Sequence, residues 1–363
     1  MSFYNGNGNL IDLSVEVGGD VAIIKNAMDY NVTKGTNGIL PKFEEVSGSY
    51  HLEGRWYKQT INGVECDVTN NSGSLIFLKV KGATTITINW VDGTSSIVAG
   101  STYWAYAIDS VEVSDFTRNT TAVNTITLPD TDEHIVTIIC DSCIEDRALR
   151  WTNGRGCALN GITSDGTLTA IKPNMTKILY YGDSITEGIR TLGTNVGNSS
   201  LHAFPYYASK GLYTIPLFCG YGATGVGQTG SFNTLINMID YLYSGVPVPD
   251  DLLNPDLIVI NMGQNDGTYS TDPTFFVESY QESVNKLSRK YPGIPIACMI
   301  PFTQNYGAYI RNAVANNPQC FVIETSGWNP STADGKHPND AGSQTIATHL
   351  IPELQSILRN WKY

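Results

Sequence analysis

From Lys177 onward the apolar residues arrive in unbroken runs: "KILYY", "TIPLFCG", "DLIVINM", "IPIACMI" and "CFVIET". A strand with one wet face alternates apolar and polar side chains, whereas a strand buried on both faces has no need to. Between the runs lie stretches with helical character: "SFNTLINMIDYLYSG", "PTFFVESYQESVNKLSRKY" and "AYIRNAVANN". A closing "NDAGSQTIATHLIPELQSILRNW" carries a helix cap near Asn339 or Asp340. Strand alternating with helix predicts an α/β fold, a parallel sheet covered on both faces.

The preceding residues follow another period. "GSLIFLKVKG", "TTITINWVDG", "STYWAYAI", "NTITLP" and "HIVTIICDS" are short runs rich in Thr, Ile, Val and aromatics, separated by turn residues as in "VDGTSS" and "PDTDEH". They predict an all-β sandwich or jelly roll. The first ~45 residues are less patterned, and "YNGNGN" and "TKGTNG" read as loops of an appendage. "NGITSDGTLTAIKPNMT" reads as the interval between two halves. The expected division is residues 1–165, a β-sandwich with an irregular N-terminal appendage, and residues 166–363, an α/β domain.

Composition narrows the partners. The chain has 363 residues, 41% of them hydrophobic, enough for the cores of a globular protein. A net charge of −12 argues against nucleic acid, which needs clustered Lys and Arg. No apolar run approaches the ~20 residues of a membrane span. "MSFYNGNGNLIDLS" lacks the basic start and apolar core of a signal peptide. The seven cysteines are irregularly spaced and make no disulfide framework. Cys140 and Cys143 form a C-x-x-C inside a strand-like run, so core or surface cysteines are expected rather than a redox site. No His/Cys spacing suggests a metal site, and no cofactor is expected.

In an open parallel sheet, ligands bind beyond the carboxyl ends of the strands. After "KILYY" comes Gly182-Asp183-Ser184; after "TIPLFCG" comes "YGATGVGQTG"; after "DLIVINM" comes "GQND"; and some residues after "CFVIET" comes "DGKHP". These polar groups should share one rim of the sheet. The four blocks, in this order, resemble the SGNH, or GDSL, hydrolase superfamily over residues 177–363. The resemblance implies a flavodoxin-like three-layer α/β/α domain. It places Ser184 of "GDSIT" as nucleophile, Gly225 of "GYGATG" and Asn265 of "GQND" in the oxyanion hole, and Asp334 and His337 of "DGKHP" as the other triad members.

The residue types suit that chemistry. A serine hydroxyl needs a base to take its proton, and imidazole titrates near neutrality. Asp334, three residues before His337, can accept the other ring N–H and fix the tautomer. The Ser184 and Gly225 backbone N–H groups and the Asn265 amide are the expected oxyanion donors. A helix starting just after Ser184 would add partial positive charge.

Other residues carry weaker signals. His202, in "TLGTNVGNSSLHAF", could line the pocket, and Trp328, in "GWNPSTADGKHP", could stack on a sugar ring or simply pack. His51, His134 and His349 read as surface or satisfied core, and Asp183 and Asp266 as binders of local backbone.

The β half followed by "GDSIT", with the junction "GCALNGITSDGTLTAIKPNMTKILYYGDSITEG", resembles family 2 carbohydrate esterases and related two-domain deacetylases. That implies a serine esterase removing acetyl groups from an acetylated polysaccharide. Some members hold the histidine by a backbone carbonyl, whereas Asp334 here permits a full triad. The Asn/Gly-rich start resembles bacteriophage appendage proteins with esterase domains, which would place a glycan-directed enzyme on a virion; a secreted bacterial enzyme acting on extracellular or cell-surface glycan is the other source. The competing functions are an esterase of lipids or small acyl esters, and a non-catalytic glycan-binding or virion structural protein. The polysaccharide, the acetylated position and the oligomeric state are not legible in the sequence.

Overall fold

The computed structural model describes residues 3–4, 10–11, 41–91, 103–119, 124–146, 148–193, 197–227 and 233–361. The expected loops "YNGNGN" and "TKGTNG" lie almost wholly outside the described residues.

The apolar runs of the second half become five parallel strands: β1 (Lys177–Gly182), β2 (Ile215–Gly220), β3 (Leu257–Asn261), β4 (Ile296–Met299) and β5 (Cys320–Ile323). Their order across the sheet is β2-β1-β3-β4-β5. This is the flavodoxin-like order, whose topological switch lies beside the first strand. Among the described residues seven helices accompany them: α1 (Ser184–Glu187), α2 (Phe204–Gly211), α3 (Leu235–Asp240), α4 (Gln264–Tyr269), α5 (Pro273–Lys290), α6 (Gly307–Val314) and α7 (Asp340–Trp361). Asn339 caps α7, its side-chain oxygen accepting from Gly342 N–H at 2.9 Å.

Period 2 explains why the runs are unbroken. Ile178 and Tyr180 of β1 pack with α2 and α7, while Leu179 and Tyr181 point to the opposite face. There α3, α5 and α6 cover part of the sheet, and the β half covers the rest. Leu75, Phe77, Ile139 and Trp151 of the β half share one core with Leu179, Leu217 and Phe218.

The β half is a sandwich of two antiparallel sheets. In one, the path runs Thr117–Asn119, Tyr103–Ile108, His134–Ser142, Leu75–Lys81, Thr167–Pro173 and Phe43–Val46, with His51–Glu53 also on Leu75–Lys81. In the other it runs Thr125–Thr127, Thr85–Trp90, Cys157–Ser164, Val64–Thr69 and Tyr57–Ile61. Ile76, Leu78, Val136 and Ile138 fill the space between the sheets. Their alternate neighbours Leu75, Phe77 and Ile139 meet the α/β half.

Two expectations change. The interval read between the halves is itself paired, since Cys157–Ser164 and Thr167–Pro173 are strands of the sandwich. Antiparallel pairing therefore runs past residue 165 to Pro173, leaving Asn174, Met175 and Thr176 before β1. The helix expected over "SFNTLINMIDYLYSG" ends at Asp240, and Tyr241–Tyr243 turns back to pair with Val246–Pro247. The left-handed Gly245, φ 81°, makes that turn possible. All seven cysteines are unbridged, Cys140 and Cys143 among the buried ones.

Candidate active site

Ser184 is delivered by a turn that few sequences could make. A Cβ at Gly182 would strike Thr186 of the first helical turn, so strand and helix approach closely only because position 182 is glycine. Asp183 then caps α1, its Oδ1 accepting from Ile185 N–H at 2.9 Å. The helix lasts four residues and stops at the left-handed Gly188, φ 89°. Ser184 thus stands at the carboxyl end of β1, at the switch point between β1 and β3.

His337 arrives from the loop before α7. Its Nε2 lies 2.9 Å from Ser184 Oγ, and its Nδ1 lies 2.8 Å from Asp334 Oδ2. Asp334 Oδ1 accepts from the backbone N–H of His337 at 2.8 Å and of Lys336 at 3.1 Å. Partial burial acts to raise the Asp334 carboxyl, but the bonds from His337 N–H, the His337 ring and Lys336 N–H outweigh it and hold Asp334 far below the usual carboxylate range. The side chain is therefore an anion, able to hold the ring N–H at Nδ1 and leave Nε2 facing the serine.

Arg190 is a further member of the site, and no motif marks it. Its guanidinium Nη1 donates to Asp334 Oδ2, the oxygen that also faces His337. The backbone there is left-handed, φ 61°, with Arg190 N–H donating to Asn198 Oδ1 at 2.9 Å. Its one signal in the sequence is a positive charge six positions after Ser184.

Asn265 and Asp266 open α4. Asp266, buried, accepts from Val226 N–H at 2.8 Å, Gly227 N–H at 2.9 Å and Thr271 Oγ1 at 3.0 Å, which ties the loop after β2 to α4. Asn265 Nδ2 donates to Thr224 O at 2.9 Å and to Asp183 Oδ2 at 3.1 Å. Asp183 is buried, and burial together with the nearby Asp266 pushes its carboxyl up to about 7 against the pull of Ile185 N–H.

A cleft of about 620 Å³ opens over Ser184. The catalytic half contributes Arg190, Gln264, Asn265, Thr268, Lys336 and His337 to its lining. Glu145, Asp146 and Ala148 of the β half form another part of the wall. Gly222 and Ala223 line it where Gly225 is expected. Gly225 is buried behind them, its carbonyl accepting from Leu235 N–H at 3.0 Å. A Cβ at Gly222 would come within 3.1 Å of Glu145 Oε1, so the β half closes directly on this loop.

Two further expectations are corrected. His202 does not line the cleft; its Nδ1 lies 2.9 Å from Asp340 Oδ1, where it braces the start of α7. Trp328 is a core residue, packed on Phe302 and stacked on His349 at 5.3 Å, with only 8% of its surface exposed. "TLGTNVGNSS", "TQNYGAY" and "GWNPSTADG" supply no described residue to the cleft wall, whose polar groups come from Ser184, Arg190, α4, Lys336, His337 and the β half.

Residues 178–350 match the family model of GDSL-like lipase/acylhydrolases. No curated protein matches the sequence. Among solved structures, a family two carbohydrate esterase from Cellvibrio japonicus superposes with a TM-score of 0.71 at 19% identity, covering 89% of this chain and 100% of that one. A family two carbohydrate esterase from Clostridium thermocellum, in complex with cellohexaose, gives 0.67 at 20% identity, covering 86% and 99%. An acetyl xylan esterase from the rumen bacterium Butyrivibrio proteoclasticus gives 0.66 at 15% identity, covering 89% and 99%. At these identities the likeness is one of fold, and it spans both halves.

Proposed function

We propose, for a chain whose residues 178–350 match the model of GDSL-like lipase/acylhydrolases, that it is a serine esterase removing acetyl groups from an acetylated carbohydrate. The observation that carries this reading is the hydrogen-bond chain Ser184 Oγ–His337 Nε2 and His337 Nδ1–Asp334 Oδ2 beneath an open cleft. His337 takes the hydroxyl proton as Ser184 Oγ attacks the acetyl carbonyl carbon. The new imidazolium is stabilised by Asp334 and gives its proton to the ester oxygen of the sugar as the acyl C–O bond breaks, so the sugar leaves as its hydroxyl. Water, activated by the same imidazole, then hydrolyses the acetyl-enzyme and releases acetate.

The tetrahedral oxyanion needs donors that are in place beforehand. The reading assigns the Ser184 N–H and the Gly222–Ala223 backbone to this role. Asn265 joins them by exchanging its longer bond, to Asp183, for the developing oxyanion. A carbohydrate is favoured over a lipid by the cleft wall. Glu145, Asp146, Gln264, Thr268 and Lys336 offer hydrogen-bonding groups, beside the apolar surfaces of Ile185, Ile189 and Ala148 and the exposed ring of Tyr269, on which a sugar face can stack. The cellohexaose complex of the Clostridium thermocellum relative supports a glycan occupant of such a fold.

Acetate release from a panel of acetylated glycans, with Ser184→Ala alongside, tests the substrate class. Ser184→Ala should fold normally and release no acetate. Acyl size is tested with aryl esters. Each methylene without room forces repacking or stays wet, at roughly 1 kcal/mol. kcat/KM should therefore fall by about tenfold or more from acetate to butyrate. A flat or rising series would move the enzyme to longer acyl esters.

A further inference from the structure

Beneath the cleft the two halves meet in a buried polar seam, and one side chain spans it. Arg150 belongs to the β half, on a single π-helical turn, Ala148–Thr152, in which Asn153 N–H donates to Ala148 O at 3.0 Å. Such turns are uncommon and concentrate at functional sites. The Arg150 side chain is completely buried. Its Nε donates to Asn70 O of the β half at 2.7 Å, and its Nη2 donates to Gly220 O, the last residue of β2, at 3.0 Å. Nη1 pairs with Glu187 Oε1 of α1. The guanidinium carbon lies 4.7 Å from the centre of the Tyr221 ring.

The two elements it grips beyond the β half are those that shape the cleft floor. Glu187 lies three residues after Ser184 on the same short helix. Gly220 and Tyr221 lead directly into Gly222 and Ala223. Further hydrogen bonds join the same groups: Asn71 Nδ2 donates to Tyr221 Oη at 3.1 Å, Tyr221 Oη donates to Asn70 Oδ1 at 3.0 Å, and Ser72 Oγ donates to Glu187 Oε1 at 3.3 Å.

Stability alone does not account for this arrangement. A buried ion pair carries a desolvation cost that its attraction offsets only with excellent geometry, and apolar replacements of the same shape are often as stable. A planar fork with fixed donor directions does something an apolar cluster cannot. It holds the end of β2, the helix α1 and the Asn70 carbonyl of the β half at set distances. Acyl transfer depends on such placement, because an error of about 1 Å between reacting groups can cost a hundredfold in rate.

We propose that Arg150 is a positioning residue through which the β half holds the Ser184 turn against the Gly220–Ala223 loop, making the β half a working part of the active site. The proposal rests on the reading of Ser184 as nucleophile.

Arg150→Lys keeps a charge for Glu187 but cannot also reach Asn70 O and Gly220 O along the guanidinium directions. With aryl acetate as substrate, it should lower kcat by about tenfold or more while KM stays within about twofold. Circular dichroism and active-site titration fix the folded fraction against which kcat is expressed. Unchanged kcat per folded molecule, or a loss confined to KM, would overturn the proposal. If Arg150→Lys does not fold, Glu187→Gln serves instead: a folded variant should lose about threefold or more in kcat, and full kcat overturns the link to α1. Ser184→Ala separates the two levels. Activity retained there removes the nucleophile assignment itself, whereas a dead Ser184→Ala beside a fully active Arg150→Lys removes only the positioning role.

Discussion

At the scale of single residues, Ser184, Asn265, Asp334 and His337 stand out in the sequence alone. Each follows the carboxyl end of an apolar run, and their side chains are the few able to move a proton or stabilise an anion there. Arg190 does not stand out, because its importance comes from the return of the Asp334 loop to a left-handed position six residues after the serine. Gly222 and Gly225 lie three apart in one glycine-rich stretch, and spacing alone does not say which faces the cleft. Asp334→Asn should lower kcat/KM on the order of a hundredfold or more, because an amide presents the wrong group to His337 Nδ1. Arg190→Ala should cost less, since the His337 and Lys336 N–H groups still hold the carboxylate. Steady-state kinetics on one ester ranks the two. A loss of only about twofold for Asp334→Asn would mean that another group orients the imidazole.

At the scale of elements, the strand runs are legible because burial on both faces leaves a plain mark on sequence. The short α1 is legible only as a start, since its end depends on Gly188 entering left-handed space. Its cap, Asp183, is a buried carboxyl beside the Asp266 carboxyl, and its environment disfavours ionisation. The linkage follows from that direction. The carboxyl titrates from its ordinary value of 3.8 when unfolded and at about 7 when folded, so the folded state binds the proton more tightly. Its contribution to stability is fully present below the unfolded value and is lost as pH rises through the folded one. Asp183→Asn removes this titration. The difference in Tm, wild type minus Asp183→Asn, should therefore shrink steadily between about pH 4 and pH 8. Melting curves across that range check it, and a difference that stays constant or grows with pH would show Asp183 ionised throughout.

At the scale of the whole molecule, two halves with different periods are legible, but their fusion into one core is not. Tertiary contact between distant segments leaves little trace in local pattern, and the strand Thr167–Pro173 reads as a connecting interval for that reason. We propose that the division between the halves falls at Asn174–Thr176, yet a cut there should not release an independent domain. Leu179, Tyr181, Leu217 and Phe218 lose the cover of Leu75, Phe77, Ile139 and Trp151. Phe218 lies so close to Gly73 that a Cβ there would overlap its ring. Exposing a buried Leu or Phe costs roughly 1.5–3 kcal/mol, and a domain's net stability is only about 5–15 kcal/mol. Uncovering four such side chains is comparable to the whole margin, before the buried bonds of Arg55 to Met238 O and Arg150 to Gly220 O are lost. A protein beginning at Asn174 should therefore show no cooperative thermal transition, bind hydrophobic dyes and fail to hydrolyse aryl acetate as well as glycan ester. Calorimetry decides the matter: a cooperative melt within a few degrees of the full chain, with aryl acetate turnover intact, would make the sandwich an accessory that merely carries the esterase.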